Sequence, residues 1–150
     1  MGSVRNPDIA RLVNDYTSKV PHYWPFDCAS LPDVKLGKSA TPDKQKEAEG
    51  LRFMAEISSA DFVVLFDERG RQMTSREFSD FIMRKSVELP SKLIFVIGGP
   101  YGFSQPMYER SNMLMSLSKM TLPHELARLF AVEQIYRAGT ISRGEPYHHD

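Results

Sequence analysis

The sequence predicts an α/β fold in which helices cover a sheet of parallel strands. Two short, uniformly apolar runs, Phe62–Phe66 and Leu93–Ile97, carry that prediction. Neither alternates with polar residues, so each reads as a strand buried on both faces. Between them Phe78, Phe81, Ile82 and Lys85 recur at spacings of three and four, which marks one face of a helix. Strand, helix and strand in that order make a parallel crossover, expected to be right-handed.

The remaining elements follow along the chain. Asn6 is a good N-cap, Pro7 suits a first helical position, and Ile9, Leu12, Val13, Tyr16 and Val20 continue at helical spacing. Phe26–Leu31 reads as a short strand, and residues 32–42, rich in Gly, Ser, Lys and Asp, as a polar loop. Thr41 and Pro42 open a second helix with Ala48, Leu51 and Ala55 on one side, which Gly50 weakens by about 1 kcal/mol relative to Ala. Asp67-Glu68-Arg69-Gly70 reads as the turn after the first apolar strand, and Ser75 as the cap of the crossover helix. Ser104 and Pro106 open a helix towards Asn112, and Thr121 with Pro123 opens the last one. Along that last helix Leu122, Leu126, Leu129 and Phe130 form one apolar stripe, and Val132, Ile135 and Tyr136 widen it. A helix apolar on two sides is buried from two sides. In a chain this short the second cover is a homodimer partner, or else the chain's own C-terminal tail.

Composition sets bounds. A chain of 150 residues with 41% hydrophobic content fills one core, so residues 1–150 are expected to form a single domain. No apolar run approaches the roughly 18–20 residues that span a bilayer, and the N-terminal segment lacks the apolar core of a signal peptide. The expectation is a soluble, cytoplasmic protein with no membrane contact. Cys28 is the single cysteine, which rules out an internal disulfide or a cysteine-rich zinc site, and it is expected to be a small buried apolar group. Nineteen basic and nineteen acidic side chains balance, which weighs against nucleic acid unless a dimer gathers cations onto one face.

Chemistry is concentrated in the last third. Gly98-Gly99-Pro100-Tyr101-Gly102 follows a strand directly, and parallel strands deliver ligands to the crevice beyond their carboxyl ends. Glycines there let the backbone approach a ligand and adopt positive φ, although a tight turn into a helix needs them equally. The spacing matches neither a dinucleotide fingerprint nor a phosphate-cradling loop, so redox chemistry and nucleotide hydrolysis are poorly supported. Ser118, Thr121 and His124 read as caps and a structural histidine, and no acid is placed to complete a hydrolytic triad. In the tail Tyr147-His148-His149-Asp150, adjacent histidines point in different directions and make a poor chelating pair, so no metal is expected.

Taken together, Leu93–Gly102, Leu117–His124 and Pro146–Asp150, in this order and spacing, resemble the RlmH family of ribosomal RNA methyltransferases, members of the knotted SPOUT class. The resemblance implies a SPOUT-type α/β fold with a C-terminal trefoil knot, and S-adenosylmethionine as cofactor. It implies cofactor contacts from Phe66, from Gly98, Gly99 and Gly102, and from Leu117, Ser118, Lys119, Met120, Thr121 and Leu122. It further implies Tyr147 and His148 as catalytic residues, and Arg128, Arg137 and His149 as substrate contacts. The target it implies is N3 of a pseudouridine, position 1915 of 23S rRNA, in the assembled ribosome, with the enzyme acting as a homodimer. Relatives of this kind begin with one more apolar strand, ahead of the stretch matching Met1-Gly2. A sequence without it corresponds either to a late start or to the loss of an inner strand, which would expose two strand edges. The alternative is a non-catalytic, ribosome-associated RNA-binding module of the same fold, with a hydrolase third.

Overall fold

The computed structural model describes residues 4–34, 36–37 and 40–148. Its elements are α1 (Pro7–Lys19), a 3-10 turn (Val20–His22), α2 (Pro42–Glu56), β1 (Phe62–Gln72), α3 (Ser75–Glu88), β2 (Leu93–Ile97), α4 (Gln105–Arg110), β3 (Met113–Ser116) and α5 (His124–Ser142). The three strands form one sheet in the order β2-β1-β3, and both pairings are parallel. β1 is therefore central, and its apolar run is flanked on both edges, as a uniformly hydrophobic sequence requires.

Alternate residues of β1 face opposite layers. Val64 enters a core with Val20, Phe78, Phe81, Ile82, Met115, Ile135 and Ala138, which joins the sheet to α3 and α5. Val63 and Leu65 face the other side, against Val96, Phe103 and Met107 beneath α4. Asn6 caps α1 by accepting from the backbone N–H groups of Asp8 at 2.9 Å and Ile9 at 3.2 Å. α1 lies along α5, and the two ends of the chain are tied there. The hydroxyls of Tyr16 and Tyr147 lie 3.3 Å apart, and Tyr23 donates to Glu145 at 2.6 Å. Gly139 makes the second contact possible, since a Cβ there would come 2.4 Å from the Tyr23 ring.

Several expectations are corrected. The segment Phe26–Leu31 is not a strand: residues 27–30 are exposed, and only Phe26 and Leu31 are partly buried. Cys28 is exposed there, not a buried apolar group. In α2 the inward face is Glu49, Gly50 and Phe53, whereas Leu51 is 73% exposed and Ala55 is exposed. The reason is a close approach: a Cβ on Gly50 would sit 2.3 Å from Ser104 Oγ, so the glycine that weakens the helix lets it touch the start of α4. The cap of α3 is Thr74, in a reciprocal capping box with Glu77, and Ser75 is its first helical residue. α5 starts after Pro123, with Thr121 two residues before that cap. The strand Met113–Ser116 has no counterpart in the sequence reading; it is four residues long and has no β-branched residue.

Asp67–Gly70 is not a turn either. β1 continues through it to Gln72, and Met115 of β3 faces both Phe66 and Arg71, so the intervening residues bulge out of the ladder. Gly70 returns the chain to register by lying flat on β3, where a Cβ would come 2.4 Å from the Met115 backbone nitrogen. Backbone cannot yield as a side chain can. Gly70→Ala should therefore lower unfolding free energy by about 1–3 kcal/mol in urea titrations, the usual cost of overpacking. Gly37→Ala, where among the described residues beyond its chain neighbours no atom lies within 4 Å of the added Cβ, should stay within about 0.5 kcal/mol of the parent. Equal effects at the two positions would refute this account of the bulge.

Candidate functional site

Because all three strands run the same way, their carboxyl ends open on one side of the sheet. A cleft of about 510 Å³ lies there. Its walls come from Phe66 to Arg69 at the bulge of β1, Ile97 to Phe103 after β2, Ser116 to Ser118 at the end of β3, Met120 to Leu122, and His124 with Ala127 at the start of α5.

Local chemistry shapes each wall. Phe66 stacks on Phe95 of β2, with centroids 5.6 Å apart. After β2, Gly102 N–H donates to Gly99 C=O at 3.1 Å, closing a tight turn, and Gly102 takes φ +78°, a conformation that favours glycine. Gly98 is hemmed in from behind, where a Cβ would meet the Phe103 ring at 3.1 Å. After β3, Ser116 Oγ donates to Ser118 C=O at 2.8 Å, and Ser118 Oγ accepts from Met120 N–H at 2.9 Å. Two serines thus fold the 116–120 segment on itself.

Of the residues that the resemblance implies for cofactor contact, Phe66, Gly98, Gly99, Gly102, Leu117, Ser118, Met120, Thr121 and Leu122 all line this cleft. Lys119 is exposed and is not part of the wall. The other implied residues lie elsewhere. Arg128 is 8% exposed; its guanidinium donates to Ser30 Oγ at 3.1 Å and lies 3.5 Å from His124 Nε2. Arg137, Tyr147 and His148 form a second cluster on α1 and α5, and none of them is among the lining residues. Arg137 donates to Glu133 at 2.6 and 3.0 Å, covers the Tyr147 ring at 4.7 Å, and has an N–H group 3.4 Å from His148 Nδ1. Tyr147 is half-buried, lies against Tyr16, and donates to Glu133 at 3.2 Å; partial burial first and these partners second push its hydroxyl well above the ordinary tyrosine range. It therefore holds its proton. His149 lies outside the described residues. Among the described residues, no group of three or more His, Cys, Asp or Glu could hold a metal, and no helix is long and apolar enough to cross a membrane.

One part of the cleft escaped the sequence reading. Asp67 accepts from Arg69 side-chain N–H groups at 3.0 and 3.1 Å, from the Arg69 backbone N–H at 2.9 Å, and from the Tyr108 hydroxyl at 2.6 Å. Arg69 in turn donates to the Tyr108 oxygen at 2.6 Å and lies over its ring. The available signal was the spacing: residues two apart on a strand share a face, so Asp67 and Arg69 were bound to meet if the strand went on. The Arg69 hydrogen bonds hold the Asp67 carboxyl at about 2, below its ordinary 3.8. A carboxylate with a depressed value stabilises the fold above its unfolded value, and loses that contribution as pH falls through the folded one. The Arg69 side chain is 66% exposed, so solvent screens the pair. Asp67→Asn should cost about 1 kcal/mol at pH 7 in urea titrations, and the gap to wild type should narrow as pH falls from about 4 towards 2. A gap independent of pH across that window would remove the ionic explanation.

Comparison with known proteins follows the same lines. A family model for predicted SPOUT methyltransferases matches residues 1–148. A protein of Bacteroides fragilis named ribosomal RNA large subunit methyltransferase H is 46% identical over 138 residues, 92% of this chain and 88% of its own length. A protein of Parabacteroides distasonis with the same name is 44% identical over 138 residues, again 92% of this chain and 88% of its own length. A third of that name, from Porphyromonas gingivalis, is 42% identical over 150 residues, 100% of this chain and 96% of its own length.

Proposed function

The chain belongs to the SPOUT methyltransferase family, and from that premise we propose that it transfers the methyl group of S-adenosylmethionine to N3 of pseudouridine 1915 of 23S rRNA in the assembled ribosome. The observation that carries this reading is the convergence of the β1 bulge, the ends of β2 and β3, the glycine turn and the segment around Ser118 on one cleft. Its volume, about 510 Å³, suits a small organic cofactor. The lining mixes apolar Phe66, Ile97, Leu117 and Leu122 with polar Ser116, Ser118 and Thr121, which fits a molecule with an aromatic base at one end and an amino acid at the other. Phe66, Gly98, Gly99, Gly102, Leu117, Ser118, Met120, Thr121 and Leu122 would hold it, and when bound it supplies an electrophilic methyl group on a sulfonium. The names of the relatives support ribosomal RNA as the substrate class.

On this reading the protein has two tasks besides holding the cofactor. It must orient the target nitrogen in line with the methyl group, and it must accept the N3 proton. His148 takes that proton. Tyr147 keeps its own and serves to orient, in keeping with a hydroxyl held by Tyr16 and Glu133. Arg137 steadies both side chains from α5, and Arg128 steadies His124 at the cleft wall. His149 completes the tail's contact with RNA. The side chain of Arg69, 66% exposed at the cleft wall, offers a cation to phosphate although the chain as a whole is neutral.

The same reading makes the whole chain one cytoplasmic methyltransferase domain, threaded at its C-terminal end as the family resemblance implies, and working as a homodimer. Leu126 and Phe130, one turn apart on α5, are 42% and 41% exposed, and an apolar pair in that setting suits a second copy. A second copy also accounts for the separation between cleft and tail, by supplying to one cleft the tail of the other chain.

The decisive test is transfer of labelled methyl from S-adenosylmethionine to ribosomes from a strain lacking the modification, with the modified nucleotide mapped. Label at that pseudouridine is the expected result; cofactor-independent ribosome binding without transfer would mean an RNA-binding module instead. His148→Ala should lower the rate at saturating cofactor by about 10²-fold or more, and an unchanged rate would exclude it as proton acceptor. Leu126→Glu with Phe130→Glu should yield a monomer in sedimentation velocity, whereas a surviving dimer would place the interface elsewhere.

A further inference from the structure

Three charged side chains are buried among the described residues: Glu49, Asp61 and Arg128. Two of them are well provided for. Asp61 accepts from Ser58 N–H, Ser91 Oγ and Lys92 N–H, and Arg128 is tied to Ser30 and His124. Glu49, 5% exposed, accepts from Gln45 Nε2 at 2.7 Å, and among the described residues no cation lies within ion-pair distance of it. A buried carboxylate with a single neutral donor is costly, and such groups are kept where something completes them.

The position of this carboxylate says what that is. It lies against Gly99: a Cβ on that glycine would come 2.3 Å from Glu49 Oε2 and 2.9 Å from both Oε1 and Cδ. The adjacent residue, Gly50, touches Ser104, where a Cβ would come 2.3 Å from the hydroxyl. α2 thus presses on both ends of the segment from Gly99 to Ser104 at one point, and Gly99 lines the cleft. The negative charge sits one backbone layer behind the wall. Of the other carboxylates at that wall, Asp67 is matched by Arg69 and Glu68 is exposed to solvent, which leaves Glu49 as the buried one with charge to offer a ligand.

We infer that Glu49 is a positioning and charge-selecting residue, holding the Gly98–Gly102 turn in place and favouring a cationic ligand over its neutral counterpart in the cleft. The inference rests on the S-adenosylmethionine reading and deepens it. Substrate and product of that cofactor differ by one methyl group and one positive charge on sulfur. A carboxylate behind Gly99 therefore favours the loaded form on entry and eases departure of the spent one.

The test compares binding of S-adenosylmethionine and S-adenosylhomocysteine by calorimetry, to wild type and to Glu49→Gln, which keeps the shape and removes the charge. The variant should bind S-adenosylmethionine about tenfold more weakly, and S-adenosylhomocysteine within about twofold of wild type. A purely structural role would move both affinities together, so equal weakening, or an unchanged ratio, overturns the inference. The affinity for the neutral ligand also reports whether the variant is folded. If it is not, Glu49→Asp carries the test: a ratio of affinities within about threefold of wild type supports the charge, and a collapsed ratio in a folded protein overturns it. Wild type that binds neither ligand defeats the cofactor reading and this inference with it, a result distinct from any seen in the variants.

Discussion

Everything about the site descends from one constraint, the parallel pairing of the central strand with both of its neighbours. Parallel neighbours cannot be joined by tight hairpins, so helices must carry the chain back over the sheet each time. Those helices bury both faces, which is why β1 is apolar from Phe62 to Phe66 without alternation. Equally, every strand ends on the same side. Three chain segments that are distant in sequence, the β1 bulge after residue 66 and the strand exits after residues 97 and 116, come together there, and the cleft is the gap between them.

Within that frame, glycines decide which surfaces may touch. Gly70 lets β1 rejoin β3 after its bulge, Gly50 lets α2 reach Ser104, and Gly99 admits the Glu49 carboxylate. All three are close-approach positions rather than positions of unusual backbone conformation; Gly102 is the cleft glycine with positive φ. The wall is therefore held from behind by contacts that a single methyl group would break. Opposite it, the bulge aims Asp67 and Arg69 into the mouth of the cleft, where Tyr108 joins them. A regular strand would have kept those side chains in the ladder.

What the sequence could reveal divides along the same physical line. Buried strands, N-caps and the crossover helix are local features, and Asn6, the run Leu93–Ile97 and the spacing of Phe78, Phe81 and Ile82 announced them. The inward face of α2 is not local: propensity and pattern favoured Leu51, and packing against Ser104 chose Gly50. β3 was illegible because Met113, Leu114 and Met115 suit a helix as well as a strand, and only the free edge of β1 decides between them. The glycine turn and the 117–122 segment stood out through their resemblance to a known family, whereas the cluster of Asp67, Arg69 and Tyr108 depends on a bulge that nothing in Asp-Glu-Arg-Gly distinguishes from a turn.

The clasp between the chain's two ends reaches beyond the finished fold. Tyr16 meets Tyr147 across 131 residues, and Tyr23 meets Glu145 across 122. During synthesis α1 emerges well before α5, the helix it rests on. Until α5 arrives, the side of α1 that packs on it has no native partner, and the nascent chain must keep it from straying. Contacts of such high sequence separation also slow folding once the chain is free, because a long loop must close before they can form. Docking of α1 therefore waits on α5, and this part of the fold closes late in the order of synthesis.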